Sequence, residues 1–273
     1  MQMKPQSMLF TIYGEYVRHY GNEVWIGSLT RLLGEFGMTE QAVRAAISRM
    51  QRQGWLVSRK IGNRSYYSMS PRGQKRLDEA AKRIYPRQAE GWNQRWCMIS
   101  YNIPEERRHL RDQFRKELSF LGFGLLTNST WFSPNDLAEQ VKELTETYAI
   151  TQHVELFTAA HIGWSEPQQL VAKCWDLEGI NASYRAFIET YRPQLQALQP
   201  AQDLPDNRCF VEKTQLVHEY RKFLFIDPDL PEELLPELWL GREADNLFSA
   251  LYTLLDPGAK RFFETMYESA PLG

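Results

Sequence analysis

The spacing of apolar residues between Ser28 and Gly73 changes once, and this change restricts the folds open to the chain. In the first half, apolar residues recur at helical spacing in two sets, Leu29, Leu32, Leu33 and Phe36, then Val43, Ile47 and Met50. Beyond Gly54, apolar and polar residues alternate, and the turn residues Gly62 and Asn63 interrupt the alternation. The pattern predicts two helices that meet at a tight turn, followed by a β-hairpin.

Residues that start and stop helices stand at the ends of these segments. Ser28 and Thr39 are suited to N-caps, and Gly37 and Gly54 are suited to helix ends. Helical periodicity also predicts helices on either side, over residues 7–20 and 72–85. Three helices followed by a hairpin with a basic tip indicate a winged helix-turn-helix domain.

The same segment is strongly basic. Residues 38–73 hold seven Lys or Arg and a single acidic residue, Glu40. Residues 1–90 hold fifteen Lys or Arg against seven Asp or Glu, whereas the whole chain has a formal net charge of -2. Positive charge is therefore concentrated in the N-terminal part, and the remainder is acidic. This division is expected of a basic head that binds a polyanion.

The third helix and the hairpin tip are predicted to contact duplex DNA. Gln and Arg side chains suit base edges in the major groove, Arg and Ser suit phosphates, and a basic hairpin tip suits the flanking minor groove. The predicted contacts are Gln41, Arg44, Ala45, Ser48, Arg49 and Arg52 on the helix, and Arg59, Lys60, Asn63 and Arg64 on the hairpin. The alternatives are a solvated basic surface and a protein-interaction module with an incidental basic head.

The middle of the chain shows a second order of elements. The predicted elements are a strand over 95–103, a helix, a hairpin around 128, a helix over 135–148 and a strand over 151–157. This βαββαβ order is ferredoxin-like. From Gly163 onward, helical periodicity predicts an all-helical region. We therefore expect an α+β protein with a winged-helix domain and linker helix at 1–90, a ferredoxin-like domain at 91–162 and a helical domain at 163–273.

Three segments of the chain resemble the regulators of phenylacetic acid degradation, the PaaX-type repressors. The winged helix of that family is similar to LTRLLGEFGMTEQAVRAAISRMQRQGWLVSRKIGNRSYYSMSPRG, its middle hairpin to LSFLGFGLLTNSTWFSP, and its C-terminal signature to HEYRKFLFIDPDLPEELLPELWLGREA. The resemblance implies a homodimeric repressor of an aromatic-acid catabolic operon. It also implies that an aryl-acyl-CoA, typically phenylacetyl-CoA, releases the repressor from a palindromic operator.

An effector of that kind needs apolar walls for its aryl group and cations for its phosphates. Side chains of these types stand near the C-terminal signature: His218, Tyr220, Arg221, Lys222, Trp239 and Arg242. Aromatic residues at helical spacing also suit a hydrophobic core, so a structural role is the alternative for the same residues.

The middle segment is also similar to the small ferredoxin-like endonucleases of CRISPR spacer acquisition. Those enzymes carry an acidic metal ligand just after the tyrosine of the first strand, whereas this chain reads Tyr101-Asn102-Ile103. A neutral amide is a poor sole anchor for a hard divalent cation. We therefore expect this domain to serve association, with a nuclease-derived or other catalytic protein as the alternative.

The sequence contains no local motif of the other enzyme classes that we considered. The five histidines lack HxxH and HExxH spacing, and the GxxxxGK[ST], GxGxxG and GxSxG motifs are absent. Cys97, Cys174 and Cys209 form no CxxC pair and are expected to be reduced thiols. We expect neither metal nor cofactor. Without an apolar run long enough for a signal peptide or a membrane span, a cytoplasmic protein is expected.

Overall fold

The computed structural model describes residues 3–84, 91–198 and 204–269. These residues form ten α-helices and seven β-strands, and the strands make two antiparallel sheets. The α+β class and the helical C-terminal region are therefore as predicted. Internal contacts divide the chain into a first unit of Met1–Tyr85, Glu189–Arg221 and Asp245–Gly273, and a second unit of Pro86–Ile188 and Lys222–Ala244. Each unit combines segments of several predicted domains, whose boundaries stay a prediction.

The first unit starts with four helices and a three-stranded sheet. Its N-terminal elements are α1 (Pro5–Glu15), β1 (Glu23–Trp25), α2 (Ile26–Gly34), α3 (Glu40–Arg52), β2 (Leu56–Ile61), β3 (Arg64–Met69) and α4 (Pro71–Ile84). Strand β3 lies at the centre of the sheet, antiparallel to β1 and β2. The helices and the hairpin predicted for this region are present. The first helix is shorter than predicted, because it ends at Glu15 and a 3-10 turn follows.

Local signals set the limits of α3. The Thr39 hydroxyl accepts a hydrogen bond from the backbone N–H of Ala42 at 3.3 Å, which is the predicted N-cap. Gly54, with a φ of 72°, adopts the left-handed conformation that favours glycine after a helix. The predicted inward side chains are buried, namely Val43, Ile47 and Met50. The polar and basic side of α3 therefore faces outward.

Ser28 does not have its predicted role. Helix α2 begins at Ile26 and follows Trp25 directly, so Ser28 lies inside the helix and is fully buried. Its hydroxyl accepts a hydrogen bond from the backbone N–H of Glu268 at 3.0 Å. The prediction of an N-cap was wrong because the partner of this hydroxyl comes from the far end of the chain.

The rest of the first unit comes from α9 (Asp206–Tyr220), the end of α8 (Leu177–Leu198) and most of α10 (Gly241–Met266). Helix α1 packs against α9. A buried ion network lies in this core, where the Lys213 ammonium is 2.6 Å from the carboxylates of both Glu15 and Asp256. Lys213 and Glu15 are almost inaccessible to water, so this ion pair lies within the core.

The second unit contains a four-stranded sheet with helices. Its elements are β4 (Arg95–Tyr101), α5 (Arg108–Leu121), β5 (Gly124–Thr127), β6 (Thr130–Ser133), α6 (Ala138–Thr147), β7 (Val154–Ala160), α7 (Pro167–Cys174) and the start of α8. The strand order is β5-β6-β4-β7. The predicted order of elements from β4 to β7 is present, although β7 starts later because residues 151–153 form a 3-10 turn. Among the described helices, none combines the length and apolarity needed to cross a membrane.

Candidate nucleic-acid interface

All ten side chains predicted to contact DNA are exposed in the first unit. They are Gln41, Arg44, Ala45, Ser48, Arg49 and Arg52 on α3, and Arg59, Lys60, Asn63 and Arg64 on the hairpin of β2 and β3. Helix α3 contacts β2, and the amide of Gln51 donates a hydrogen bond to the Ser58 hydroxyl at 3.0 Å. This contact joins the basic helix to the basic hairpin.

Three of these cations have no acidic partner within the described residues. They are Arg49 and Arg52 on α3 and Lys60 on β2. Each side chain therefore keeps its positive charge available at the surface. Exposed cations of this kind neutralise phosphates and release counterions when a protein binds nucleic acid.

Two further predicted contacts pair with acids of the same unit. The guanidinium of Arg59 donates hydrogen bonds to the Glu23 carboxylate at 2.7 and 2.8 Å. Arg44 pairs with Glu40, one turn earlier in α3, at 2.6 Å. Because both arginine side chains are more than half exposed, these ion pairs contribute little stability and a phosphate can replace the carboxylate.

The carboxylate of Glu268 binds two arginines near the hairpin. One oxygen accepts a hydrogen bond from Arg31 of α2 at 2.7 Å, and the other accepts one from Arg64 of β3. The Arg64 guanidinium also lies over the Trp25 ring, 4.5 Å from its centroid. Partial burial alone would raise the pKa of Glu268, but the two arginines hold it below its ordinary value. The carboxylate therefore stays charged at neutral pH.

Arg31 is a functional candidate that is not among the ten predicted contacts. It is exposed and shares a carboxylate with Arg64, which is one of the ten. A pair of arginines that binds a carboxylate is also suited to the oxygens of a phosphate. The sequence does show Arg31 as a basic residue on the helix before α3. It does not show that Arg31 lies beside Glu268, because Glu268 is remote in sequence.

Three of the predicted effector-binding residues belong to the first unit. His218 is buried, and its Nδ1 lies 2.9 Å from the Thr11 hydroxyl. Tyr220 is also buried, with its ring stacked on Phe248 at 4.1 Å between centroids. The guanidinium of Arg221 is only partly buried and lines a cleft of about 520 Å³. Of these three residues, Arg221 is the one that lines this cleft.

The other three belong to the second unit. Lys222 is exposed, and the Trp239 ring meets Tyr184 edge-on at 5.6 Å. Arg242 is exposed and forms an ion pair with Glu232 at 2.6 Å. An effector role for the six residues stays a prediction.

A polar cleft of about 750 Å³ lies in the second unit at the end of β4. Its lining includes Tyr101 and Asn102 of the Tyr101-Asn102-Ile103 segment, together with Arg111, Arg115 and His153. No group of three or more His, Cys, Asp or Glu side chains suited to hold a metal ion occurs within the described ranges. The cleft thus offers mainly cations and amides, with Glu155 as its one carboxylate in the described lining, whereas a hard divalent cation prefers several carboxylates.

All three cysteines are free thiols. Burial raises the pKa of Cys97 and of Cys174 to about 11, and it also raises the pKa of Cys209. These thiols therefore remain protonated at neutral pH and are weak nucleophiles, as expected of structural cysteines.

Comparisons with known proteins identify the family. Models of the PaaX-like protein, the PaaX protein central Cas2-like domain and the PaaX-like protein C-terminal domain match residues 4–73, 89–171 and 175–265. The transcriptional repressor PaaX of Escherichia coli (strain K12) is 33% identical over 268 residues, which cover 97% of this chain and 84% of the relative. The chain belongs to the PaaX family.

A solved structure is also similar to this PaaX-family chain. It is the uncharacterized protein Rv0674 from Mycobacterium tuberculosis, with 26% sequence identity and a TM-score of 0.50. The similarity covers 86% of this chain and 89% of that one. It therefore extends over most of both chains.

Proposed function

We propose that the protein is a DNA-binding transcriptional repressor of phenylacetate catabolism and not an enzyme. The observation that carries this proposal is the exposed basic surface of α3 and the hairpin, with Arg49, Arg52 and Lys60 lacking acidic partners among the described residues. Family membership supports it, because a relative that matches nearly the whole chain is a transcriptional repressor. A regulator of this kind acts in the cytoplasm, where its operator is.

We assign the first part of the chain to the winged helix-turn-helix class. In this proposal α2 and α3 form the helix-turn-helix, α3 enters the major groove, and the hairpin of β2 and β3 is the wing. The order of α1, β1, α2, α3, β2 and β3 supports the assignment. For the second unit, the order of elements from β4 to β7 supports the ferredoxin-like class.

The repressor is proposed to act as a homodimer on a palindromic operator, so that two copies of α3 reach two half-sites. Strand β7 lies at the edge of its sheet, and exposed apolar residues occur on it and just after it, at Phe157, Ile162 and Trp164. A second copy of the chain would cover such side chains. Sedimentation velocity of the full chain should show a dimer, and Ile162→Ser with Trp164→Ser should shift it toward monomer. A wild-type monomer at micromolar concentration would contradict this part of the proposal.

The effector is proposed to be an aryl-acyl-CoA such as phenylacetyl-CoA, with His218, Tyr220, Arg221, Lys222, Trp239 and Arg242 as candidate contacts. Family membership supports the ligand class, and Arg221 in its cleft supports a site for an anion. Release should be measured with phenylacetyl-CoA and with free phenylacetate, on operator fragments recovered from genomic DNA. Release by the free acid alone would contradict the thioester.

The repressor proposal is tested by removing unpaired cations. Arg49→Ala with Lys60→Ala should weaken operator binding and reduce the slope of log K against log salt by about 0.9 for each phosphate that is no longer neutralised. Arg208→Ala is the matched control, because it removes an exposed arginine of α9 that pairs with Glu212 at 2.6 Å. Equal affinity of the double variant and the control would contradict a DNA-binding role for α3 and the hairpin.

A catalytic protein centred on the second unit is the second candidate, favoured by the polar cleft beside Asn102. It is tested by incubating labelled DNA and RNA with the protein and Mg²⁺ or Mn²⁺. We expect no cleavage above that of buffer. Cleavage that a chelator abolishes would favour the enzyme.

A further inference from the structure

A cleft in the first unit lies beside the basic side of α3. Its volume is about 520 Å³, which is within the range of small-molecule sites. Phe10 of α1 contributes an aromatic wall. Helix α3 contributes three small apolar residues, Ala42, Ala45 and Ala46. Three cations also line the cleft, Lys4, Arg49 and Arg221. The cleft therefore combines apolar walls with positive charge.

Arg221 carries a positive charge that no acid of the described chain neutralises. Its guanidinium donates a hydrogen bond to the Ser7 hydroxyl at 2.7 Å, which is its one polar side-chain contact within the described residues. Burial lowers the pKa of Arg221 to about 10. A desolvated guanidinium with a single neutral partner has several N–H groups left for an anion, and binding one offsets its desolvation.

The cleft shares residues with the surface proposed to bind DNA. Ala45 and Arg49 line the cleft and are also two of the predicted DNA contacts. A ligand in the cleft would cover Ala45 and bring negative charge to Arg49. Arg49 could then no longer neutralise a phosphate, and the ligand's charge would repel the DNA backbone. Ligand and operator would therefore compete for α3.

We infer that this cleft is the effector site and that it takes an organic anion with an aryl group. The aryl group lies against Phe10 and the alanines of α3, and the negative group binds Arg221. The inference rests on the proposed repressor function and adds the place at which the effector acts. Of the six candidate contacts, this site retains Arg221. Phenylacetyl-CoA and phenylacetate both carry an aryl group and an anion, so the experiment has to separate them.

The experiment measures operator affinity of the full chain with and without ligand, and takes the ratio so that any change in basal affinity cancels. The probes are phenylacetyl-CoA, CoA alone and phenylacetate. Arg221→Gln removes one of the positive charges of the cleft, and Ala42→Leu narrows the cleft from α3 without touching Arg221. Arg208→Gln is the control, since Arg208 is an arginine of α9 that does not line the cleft.

We expect an aryl-bearing probe to weaken operator binding by wild type and by Arg208→Gln to the same extent. For Arg221→Gln and Ala42→Leu, the ratio should approach one. Calorimetry without DNA should show that the probe binds Arg221→Gln at least about tenfold more weakly, the loss expected for one charge-assisted hydrogen bond. Release by CoA alone would contradict the aryl subsite.

The outcomes distinguish this inference from the function on which it rests. If wild type binds no genomic DNA fragment, the repressor function is wrong. If wild type is released but both cleft variants are released equally well and bind the probe with unchanged affinity, the cleft is not the effector site. If no probe binds wild type in calorimetry, both the proposed effector and the assignment of the cleft as its site are wrong. Circular dichroism of each variant checks that a lost response is not a loss of folding.

Discussion

Glu268 accepts a hydrogen bond from Arg31 at 2.7 Å, although the two residues are 237 positions apart in the chain. The backbone of Glu268 is held as well, because its N–H donates to Ser28 and its carbonyl accepts from the Trp25 N–H at 3.1 Å. The carboxylate is thus positioned between Arg31 and Arg64. In an operator complex, this carboxylate and the phosphates would compete for the same two guanidinium groups.

Replacing Glu268 by Gln should strengthen operator binding. The change removes a negative charge and frees Arg31 and Arg64 for phosphates, so affinity should rise several-fold at low salt and the salt slope should steepen by about 0.9 for each additional phosphate that is neutralised. Fluorescence anisotropy over a range of salt concentrations measures both quantities. Glu264→Gln is the control, because Glu264 is an exposed acid near the end of α10 that accepts from the Tyr20 hydroxyl. An equal effect of both variants would point to net charge alone.

The Glu268 carboxyl should titrate below its ordinary pKa of 4.5, because two arginines stabilise its charged form. A depressed folded-state pKa means that the contact contributes its full stability above the ordinary pKa. That contribution is lost as pH falls through the lowered folded-state pKa. Carboxyl carbon NMR shifts of wild type and Arg31→Ala measure this. The titration midpoint of Glu268 should lie at a higher pH in the variant than in wild type. An unchanged midpoint would argue against Arg31 as a cause of the lowered pKa.

Gln41→Ala should relax sequence specificity more than it weakens overall binding. Gln41 is exposed in the first turn of α3, where a side chain can reach a base edge, and the loss of a bidentate contact costs about 1–3 kcal/mol at one base pair. Binding to a library of operator variants measures the preference at each position. Lys60→Ala serves as the comparison, since a phosphate contact should weaken all sequences alike. A uniform loss with Gln41→Ala would exclude base reading by this residue.

Lys213→Met should destabilise the first unit by about 3–5 kcal/mol, because it removes the buried ammonium that lies 2.6 Å from the Glu15 carboxylate. Adding Glu15→Gln to Lys213→Met should recover part of the loss. Lys260→Met is the matched control, since Lys260 is more than half exposed and lies 3.5 Å from Asp256, so less than about 1 kcal/mol is expected. Urea denaturation followed by fluorescence and circular dichroism provides the values. Equal stability of Lys213→Met and Lys260→Met would show that the buried network is dispensable.

Local patterns were sufficient to predict α3 and the hairpin after it. The Thr39 cap, the glycine at position 54 and the buried positions of α3 follow from interactions within a few residues of each other. The same local rule failed at Ser28, because the hydroxyl of a residue inside α2 binds a backbone N–H from residue 268. A cap is predictable when its partner is three residues away, and unpredictable when its partner is remote.

The candidate site was predictable only in part, for the same reason. Exposure of the ten predicted contacts follows from amphipathic periodicity and charge, both of which can be read along the chain. Nothing local indicated that Arg31 and Arg64 share the carboxylate of Glu268, or that His218 would be buried against Thr11. Residues more than 200 positions apart meet only after the chain has folded.

Short-range chemistry in the amino-acid order was therefore enough to predict the α+β class, the first four helices with their hairpin, the order of elements from β4 to β7, and a basic surface on an otherwise acidic chain. It did not predict β1, which pairs with the remote strand β3. The order of residues could not place Arg221 in a cleft with α3, or Glu268 between two arginines. Those arrangements depend on the packing of α9 and α10 in the first unit, where long-range burial of apolar and ionic groups brings distant side chains together.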